Sequence, residues 1–202
     1  VRSLVGSEMC IRDRARQDVQ NYRAQAGAIL STSKTVIEDN ASLNVRWSEL
    51  PGSVQTKLPE SEVRQPVRVV LDRQQQLSSE LKFYSTDGER IVVSAQGDVA
   101  PLLNDSEQID LKSTFANLVS QHNINHLWVE AGATLASSLI KEGLVDELVL
   151  YLAPKIMGSD GRGLFGTLGL ESMAEVIELD IQDIRQVGQD IRLVARLKNK
   201  EA

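Results

Sequence analysis

The sequence predicts an α/β domain with a mostly parallel central sheet, helices on both faces and a C-terminal antiparallel hairpin. Short apolar, β-rich runs alternate with segments whose apolar residues recur every three or four positions, which is typical of βαβ units. Near the C-terminus, Gly188-Gln189 separates extended runs at 176–187 and Asp190–Leu197, as in a hairpin turn. Together these patterns favour a mixed α/β fold.

The predicted elements follow one another along most of the chain. Strands are expected at 28–30, 67–71, 91–94, 126–131 and 147–153, and helices at 15–26, 35–38, 113–123 and 132–143. Residues 40–66 are polar and contain Pro51, Gly52 and Pro59, so they are expected to form a long surface excursion. Residues 15–202 are therefore expected to be one domain.

Composition excludes several classes of protein. Of 202 residues, 42% are hydrophobic and 25% are charged, as in an average soluble domain. The net charge of −6 gives no electrostatic footprint for nucleic acid. Cys10 is the single cysteine, which excludes a zinc site built on several thiolates, and we expect no metal. No apolar run is long enough to span a membrane, and a cytoplasmic protein is expected.

Residues 1–14 differ in character from the rest of the chain. They resemble a translated sequencing-adapter fragment of the kind that occurs at the ends of metagenomic gene models. We therefore expect this segment to be foreign to the natural protein and leave it out of the predicted fold. The alternative is a genuine disordered tail.

The segment 128–136 carries the clearest chemical signal. A strand runs through Glu130 into a turn of small residues at Gly132, which opens a helix. Backbone N–H groups and the positive dipole at a helix start can hold a phosphate there. The alternative is a turn in which Gly132 only permits close packing. Neither a three-glycine dinucleotide fingerprint nor a P-loop is present.

Several segments in register resemble a known family. They lie at 23–25, 35–36, 43–47, 128–136, 144–148, 151–155 and 157–164. Over residues 15–197 the chain is similar to the reductase half of the bacterial bifunctional riboflavin deaminase–reductase. The resemblance implies a dihydrofolate-reductase-like fold and NADPH-dependent reduction of the ribosyl group of 5-amino-6-(5-phosphoribosylamino)uracil to a ribityl chain. The alternatives are a related reductase acting on a pterin-type heterocycle and a catalytically inactive fragment.

The same resemblance implies substrate contacts at Arg23, Leu43, Arg46 and Glu130. The substrate has a phosphomonoester of roughly −1.5 to −2 charge. An arginine fork can bind such an anion through two parallel hydrogen bonds. For each arginine, the alternative is a solvated surface charge.

Cofactor contacts are implied at the positions Thr35, Asp39, Arg73, Gly132, Ala133, Thr134 and Leu135. A threonine hydroxyl can donate to a phosphate, and a carboxylate can accept from a ribose hydroxyl. The alternative for Thr35 and Asp39 is helix capping. Some members of the family carry serine at the position of Arg73. An arginine directly after a strand could pair with the 2′-phosphate of NADPH, and its alternative is an exposed charge.

The chain also departs from the family pattern. The deaminase half requires His-x-Glu and Pro-Cys-x-x-Cys segments, which are absent. Residues 1–14 stand where the family has its first strand, so the domain is expected to be incomplete at its N-terminus. A deaminase domain is expected upstream in the full-length chain, and a homodimer is expected by family analogy. The glycine-rich loop 158–163 either covers the cofactor or only connects elements, and no residue is identified as the proton donor.

Overall fold

This computed structural model describes residues 2–5, 13–156, 161 and 163–198. The strands are β1 Arg2–Val5, β2 Ala28–Thr32, β3 Val67–Leu71, β4 Arg90–Val93, β5 Leu127–Ala131, β6 Glu147–Leu152, β7 Leu179–Val187 and β8 Asp190–Leu197. The helices are α1 Asp13–Gln25, α2 Ser33–Asp39, α3 Gly52–Gln55, α4 Lys82–Ser85, α5 Leu111–His122 and α6 Ala133–Lys141. The chain divides into two compact units, Val19–Val129 and Val1–Asp18 with Glu130–Ala202.

The unit Val19–Val129 contains a parallel sheet in the order β4-β3-β2-β5. Thr32 at the end of β2 lies opposite Leu71 at the end of β3, so both strands finish at the same edge. Apolar side chains on these strands are buried, which is typical of a parallel sheet covered on both faces. Tyr22 of α1 stacks on Trp128 of β5, with 4.7 Å between ring centroids, and this contact fixes α1 against the sheet.

Two helices of this unit begin at side-chain caps. The Thr32 hydroxyl accepts a hydrogen bond from the Thr35 N–H at the start of α2. The Asp110 carboxylate accepts from the Ser113 N–H at the start of α5, and the hydrogen bonds from Ser113 lower the pKa of Asp110. Each cap satisfies an N–H group that the helix itself leaves unpaired.

Arg68 is a buried cation in the middle of the sheet. It is 1% exposed, and it donates to the carbonyl oxygens of Phe83 at 2.7 Å, Thr86 at 2.7 Å and Gly88 at 2.9 Å. Its guanidinium also lies 5.3 Å from the centre of the Phe83 ring. Burial lowers the pKa of Arg68. The guanidinium therefore ties the segment around α4 to β3.

The second unit contains strands in the order β1-β6-β8-β7. β1 is parallel to β6, whereas β8 is antiparallel to both of its neighbours, β6 and β7. Gly188 begins the two-residue turn between β7 and β8 with a φ of 68°, a conformation that glycine adopts without a steric penalty. Arg192 of β8 donates to both oxygens of Asp18 at 2.9 and 2.7 Å, and to Asp183 of β7 at 2.9 Å. These bonds join Asp18, which belongs to this unit, to the hairpin.

The predicted α/β fold, with parallel strands and a C-terminal hairpin, is confirmed. Predicted boundaries differ from the observed ones by up to three residues. The segment 40–66 is largely irregular but includes α3 and two single 3₁₀ turns. The short helix α4 was not predicted.

One feature of the second unit concerns residues 1–14, which are not part of the predicted fold: Arg2–Val5 pairs with Glu147–Leu150 of β6. An N-terminally incomplete domain stays a prediction. Backbone N–H and C=O groups at the side of a strand can pair with an extended segment of almost any sequence. A foreign origin of residues 1–14 stays a prediction.

Candidate active site

Arg23 is a buried side chain in the last turn of α1. It is 4% exposed, so the alternative of a solvated surface charge is wrong for this residue. One guanidinium nitrogen donates to the Asn44 carbonyl at 3.0 Å. Arg23 therefore anchors the segment that contains Leu43 and Arg46.

The segment 42–46 has an unusual backbone that side chains hold in place. Leu43 is 1% exposed and has a φ of 53°, a left-handed conformation that costs a non-glycine residue about 1–2 kcal/mol. The Gln65 amide accepts from the Val45 N–H at 2.9 Å and donates to the Val45 carbonyl at 3.0 Å. The Ser42 hydroxyl donates to the Asn44 side chain at 2.6 Å. These bonds offset the strain and fix the position from which Arg46 projects.

Arg46 differs from Arg23 because its side chain is half exposed, at 46%. Its guanidinium forms an ion pair with Glu49 at 3.0 Å. Such surface pairs are worth only about 0–1 kcal/mol, so an incoming dianion can replace the carboxylate. Arg46 is therefore available to a ligand.

Thr35 and Asp39 lie at opposite ends of α2. The cap of this helix is Thr32, and the Thr35 hydroxyl lies 3.2 Å from the Thr32 hydroxyl. Asp39 is the last residue of α2 and is exposed, and the C-cap is Asn40, so neither Thr35 nor Asp39 is itself a cap, although the Thr35 hydroxyl contacts the N-cap side chain. Partial desolvation and the neighbouring Glu38 carboxylate raise the pKa of Asp39.

Arg73 is exposed on a tight turn that follows β3. The buried Asp72 carboxylate organises this turn by accepting from the Gln76 N–H at 2.9 Å and the Leu77 N–H at 3.1 Å. Arg73 thus lies just beyond the end of β3, at the edge of the sheet where β2 also ends. Its side chain extends into solvent from a fixed backbone.

Gly132 precedes α6 in the second unit, and the helix start there has no side-chain cap. The φ of −72° at Gly132 is open to any residue, and a Cβ built there would meet nothing within 4 Å. Neither backbone conformation nor close packing therefore requires a glycine, so the packing alternative is not supported. The first N–H groups of this nine-residue helix have no intrahelical acceptors.

The residues around this turn differ in exposure. Glu130 on β5 is 7% exposed, and Leu135 is 8% exposed and packs in the core, so only the backbone of Leu135 could contact a cofactor. Thr134 is exposed, and Ala133 is partly buried. The Gly166 N–H donates to the Ser137 hydroxyl at 2.8 Å, which brings the segment after the glycine-rich loop to α6. Residue 157 and, within that loop, residues 158–160 and 162 lie outside the described residues.

Three polar residues that support these candidates were not found from the sequence. Gln20, Gln65 and Asp72 are hydrogen-bonded to backbone groups of the segments that carry Arg46 and Arg73. Only Asp72, at the end of a strand and before a turn, had a local signal. Among the described residues, no cluster of three or more His, Cys, Asp or Glu could hold a metal. None of the described helices is both long and apolar enough to cross a membrane.

The parallel strands, the added hairpin and the uncapped helix start after β5 define an α/β domain of the dihydrofolate-reductase-like class. A family model described as the RibD C-terminal domain matches residues 3–193, and the chain belongs to this family. The predicted family is thereby confirmed.

Individual relatives agree with this assignment. Riboflavin biosynthesis protein RibD of Escherichia coli is 41% identical over 196 residues, which cover 93% of this chain and 53% of that protein. A protein of Buchnera aphidicola named 5-amino-6-(5-phosphoribosylamino)uracil reductase is 32% identical, over 89% of this chain and 91% of the relative. The solved structure of Acinetobacter baumannii RibD has a TM-score of 0.83 at 32% identity, over 98% of this chain and 58% of that one. The chain thus spans about half the length of the RibD proteins that it matches.

Proposed function

We propose that this chain reduces the ribosyl group of 5-amino-6-(5-phosphoribosylamino)uracil to a ribityl chain, with NADPH as the hydride donor. One observation carries the proposal. The Buchnera relative named as this reductase aligns over 91% of its own length, so the reductase activity belongs to the part of these proteins that this chain spans.

The cofactor fits the start of α6. Gly132 is open to approach, and the N–H groups of the first turn are uncapped, which suits a phosphate of the dinucleotide. Ala133, Thr134 and Leu135 supply these backbone N–H groups, and Thr35 and Asp39 supply polar contacts from α2. Arg73 pairs with the 2′-phosphate and favours NADPH over NADH.

The substrate is bound mainly by charge. Arg46 and Arg23 bind its phosphate, Leu43 contacts the substrate beside them, and Glu130 accepts from a polar hydrogen of the substrate. Arg23 also fixes the segment around Arg46 through the Asn44 carbonyl. When bound, NADPH supplies a hydride to the ribosyl carbon. The residues of this chain orient substrate and cofactor and neutralise the phosphate charge.

NADPH oxidation by the purified chain tests the proposal. We expect consumption of NADPH with the phosphoribosylaminouracil and no comparable rate with dihydrofolate. A preference for dihydrofolate would favour a pterin reductase, and no turnover of either compound would favour an inactive fragment.

The same proposal includes a homodimer, an upstream deaminase domain in the full-length protein and a cytoplasmic location. Support for a dimer comes from β7, where Ile181 is 53% and Ile184 is 58% exposed. Exposed apolar side chains on a strand favour association with another chain. Sedimentation of wild type and Ile184→Lys tests this, since the variant should be monomeric if β7 forms the interface.

A further inference from the structure

Gln20 is a buried amide that is linked to Arg46 in two ways, once directly and once through Glu49. It lies on α1 and is 1% exposed. Its Oε1 accepts from the Arg46 backbone N–H at 3.0 Å, and its Nε2 donates to Glu49 Oε2 at 3.2 Å. The same Glu49 oxygen pairs with the Arg46 guanidinium at 3.0 Å. One amide therefore holds the Arg46 backbone directly and its guanidinium through Glu49.

We propose that Gln20 is a positioning residue that sets how well Arg46 binds the substrate phosphate. The inference rests on the proposed function, in which Arg46 is a phosphate ligand. An exposed arginine has many rotamers, and fixing it before binding reduces the entropy lost when the phosphate arrives. A surface ion pair alone fixes a guanidinium weakly, whereas Gln20 is held within the packed interior.

The chemistry of the amide explains why glutamine suits this position. An amide both accepts and donates, so Gln20 can bond a backbone N–H and a carboxylate at the same time. A glutamate there would accept from Arg46 but repel Glu49, and a leucine would do neither. When phosphate takes the Arg46 guanidinium, Glu49 keeps the hydrogen bond from Gln20 Nε2. Phosphate can therefore replace Glu49 at the Arg46 guanidinium while the Glu49 carboxylate still has a hydrogen-bond donor.

The test compares the phosphorylated substrate with its dephosphorylated form, 5-amino-6-ribosylaminouracil, during NADPH oxidation. We expect Gln20→Leu to raise KM for the phosphorylated substrate about three- to thirty-fold, in line with the loss of one or two hydrogen bonds. KM for the dephosphorylated substrate and kcat at saturation should stay within about two-fold of wild type. Gln121→Leu, an exposed glutamine on α5, is the matched control and should change neither KM.

Arg46→Ala, assayed in parallel, separates this inference from the proposed function. If Arg46→Ala lowers the preference for the phosphorylated substrate and Gln20→Leu does not, Gln20 has no positioning role and the inference fails alone. If Arg46→Ala leaves the preference unchanged, the phosphate site is elsewhere and both fail. In the double variant, Gln20→Leu should add nothing to Arg46→Ala, because a positioning residue acts only through its partner.

A second pair of variants covers the case in which Gln20→Leu does not fold. Gln20→Glu keeps the acceptor for the Arg46 N–H and should lose phosphate preference through repulsion of Glu49. Adding Glu49→Gln to Gln20→Glu restores one donor and one acceptor between positions 20 and 49. This double variant should recover most of the preference for the phosphorylated substrate. Equal loss of activity toward both substrates, without recovery, would show a purely structural role and overturn the proposal.

Discussion

At the scale of single residues, the two arginines expected to bind phosphate have different surroundings. Arg46→Ala should weaken substrate binding about 10- to 100-fold, the typical effect of losing a charge-assisted hydrogen bond, with little change in Tm. Arg23→Ala should also destabilise the fold by about 1–3 kcal/mol, because the Asn44 carbonyl loses its buried donor. Substrate titrations and thermal melts of both variants check this. Equal losses of substrate affinity and NADPH affinity would show that these arginines are not specific to the substrate site.

Gly132 allows the packing and ligand interpretations to be separated directly. Because a Cβ has room there and φ is ordinary, Gly132→Ala and Gly132→Val should change Tm little. Gly132→Val should nevertheless weaken NADPH binding at least ten-fold, since the branched side chain blocks the helix start. Calorimetric binding and melts of the same samples measure both effects. A large fall in Tm with unchanged NADPH affinity would restore the packing interpretation.

Arg73 tests cofactor selection. If it meets the 2′-phosphate, Arg73→Ala should raise KM for NADPH about ten-fold and leave KM for NADH nearly unchanged. Steady-state kinetics with both cofactors measures the ratio. Unchanged NADPH kinetics would leave Arg73 as an exposed charge without a role.

At the scale of elements, the hairpin contains an acid-sensitive ion pair. Hydrogen bonds from Arg185 and Arg192 lower the pKa of Asp183 from 3.8 to about 2. A carboxylate whose pKa falls on folding stabilises the protein above its unfolded pKa, and this contribution is lost as the pH falls from about 4 through the folded-state pKa of about 2. The Tm difference between wild type and Asp183→Asn should therefore be largest near neutral pH and vanish only below about pH 2. A difference independent of pH would contradict this.

The N-terminal strand gives a second test at this scale. Leu4 pairs with Val149, and proline cannot donate to a sheet ladder. Leu4→Pro should lower Tm by several degrees if Arg2–Val5 pairs with β6 in solution. An unchanged Tm would mean that this segment contributes nothing to stability, as expected of a foreign tail.

Elements with strong local patterns could be predicted, whereas those that depend on distant partners could not. Short apolar runs between helical segments predicted β2, β3 and β6, and Gly188 predicted the hairpin turn. The helix α4 has only four residues, too few for a helical period to show. The segment 42–46 is held by Gln20, Gln65 and Arg23, about 20 residues or more away along the chain, and no local pattern encodes such contacts.

For the whole molecule, the fold followed from the pattern of residues, but the function required resemblance to a family. The residue pattern alone predicted an α/β protein with a turn at Gly132 that could bind an anion. The register of several motifs then identified the reductase family, and the match over residues 3–193 confirmed it. The pattern does not assign roles to individual residues, because a polar side chain beside the site can serve either folding or binding.

Transfer of deuterium from labelled cofactor tests the central claim most directly. The purified chain is incubated with 5-amino-6-(5-phosphoribosylamino)uracil and NADPH in which both hydrogens on the reactive nicotinamide carbon are replaced by deuterium, and the product is analysed by mass spectrometry. If this chain is the reductase, the ribityl product will carry a single deuterium on the former ribosyl carbon. NADPH consumption without labelled ribityl product, or no reaction in a sample shown to be folded, would contradict the assignment.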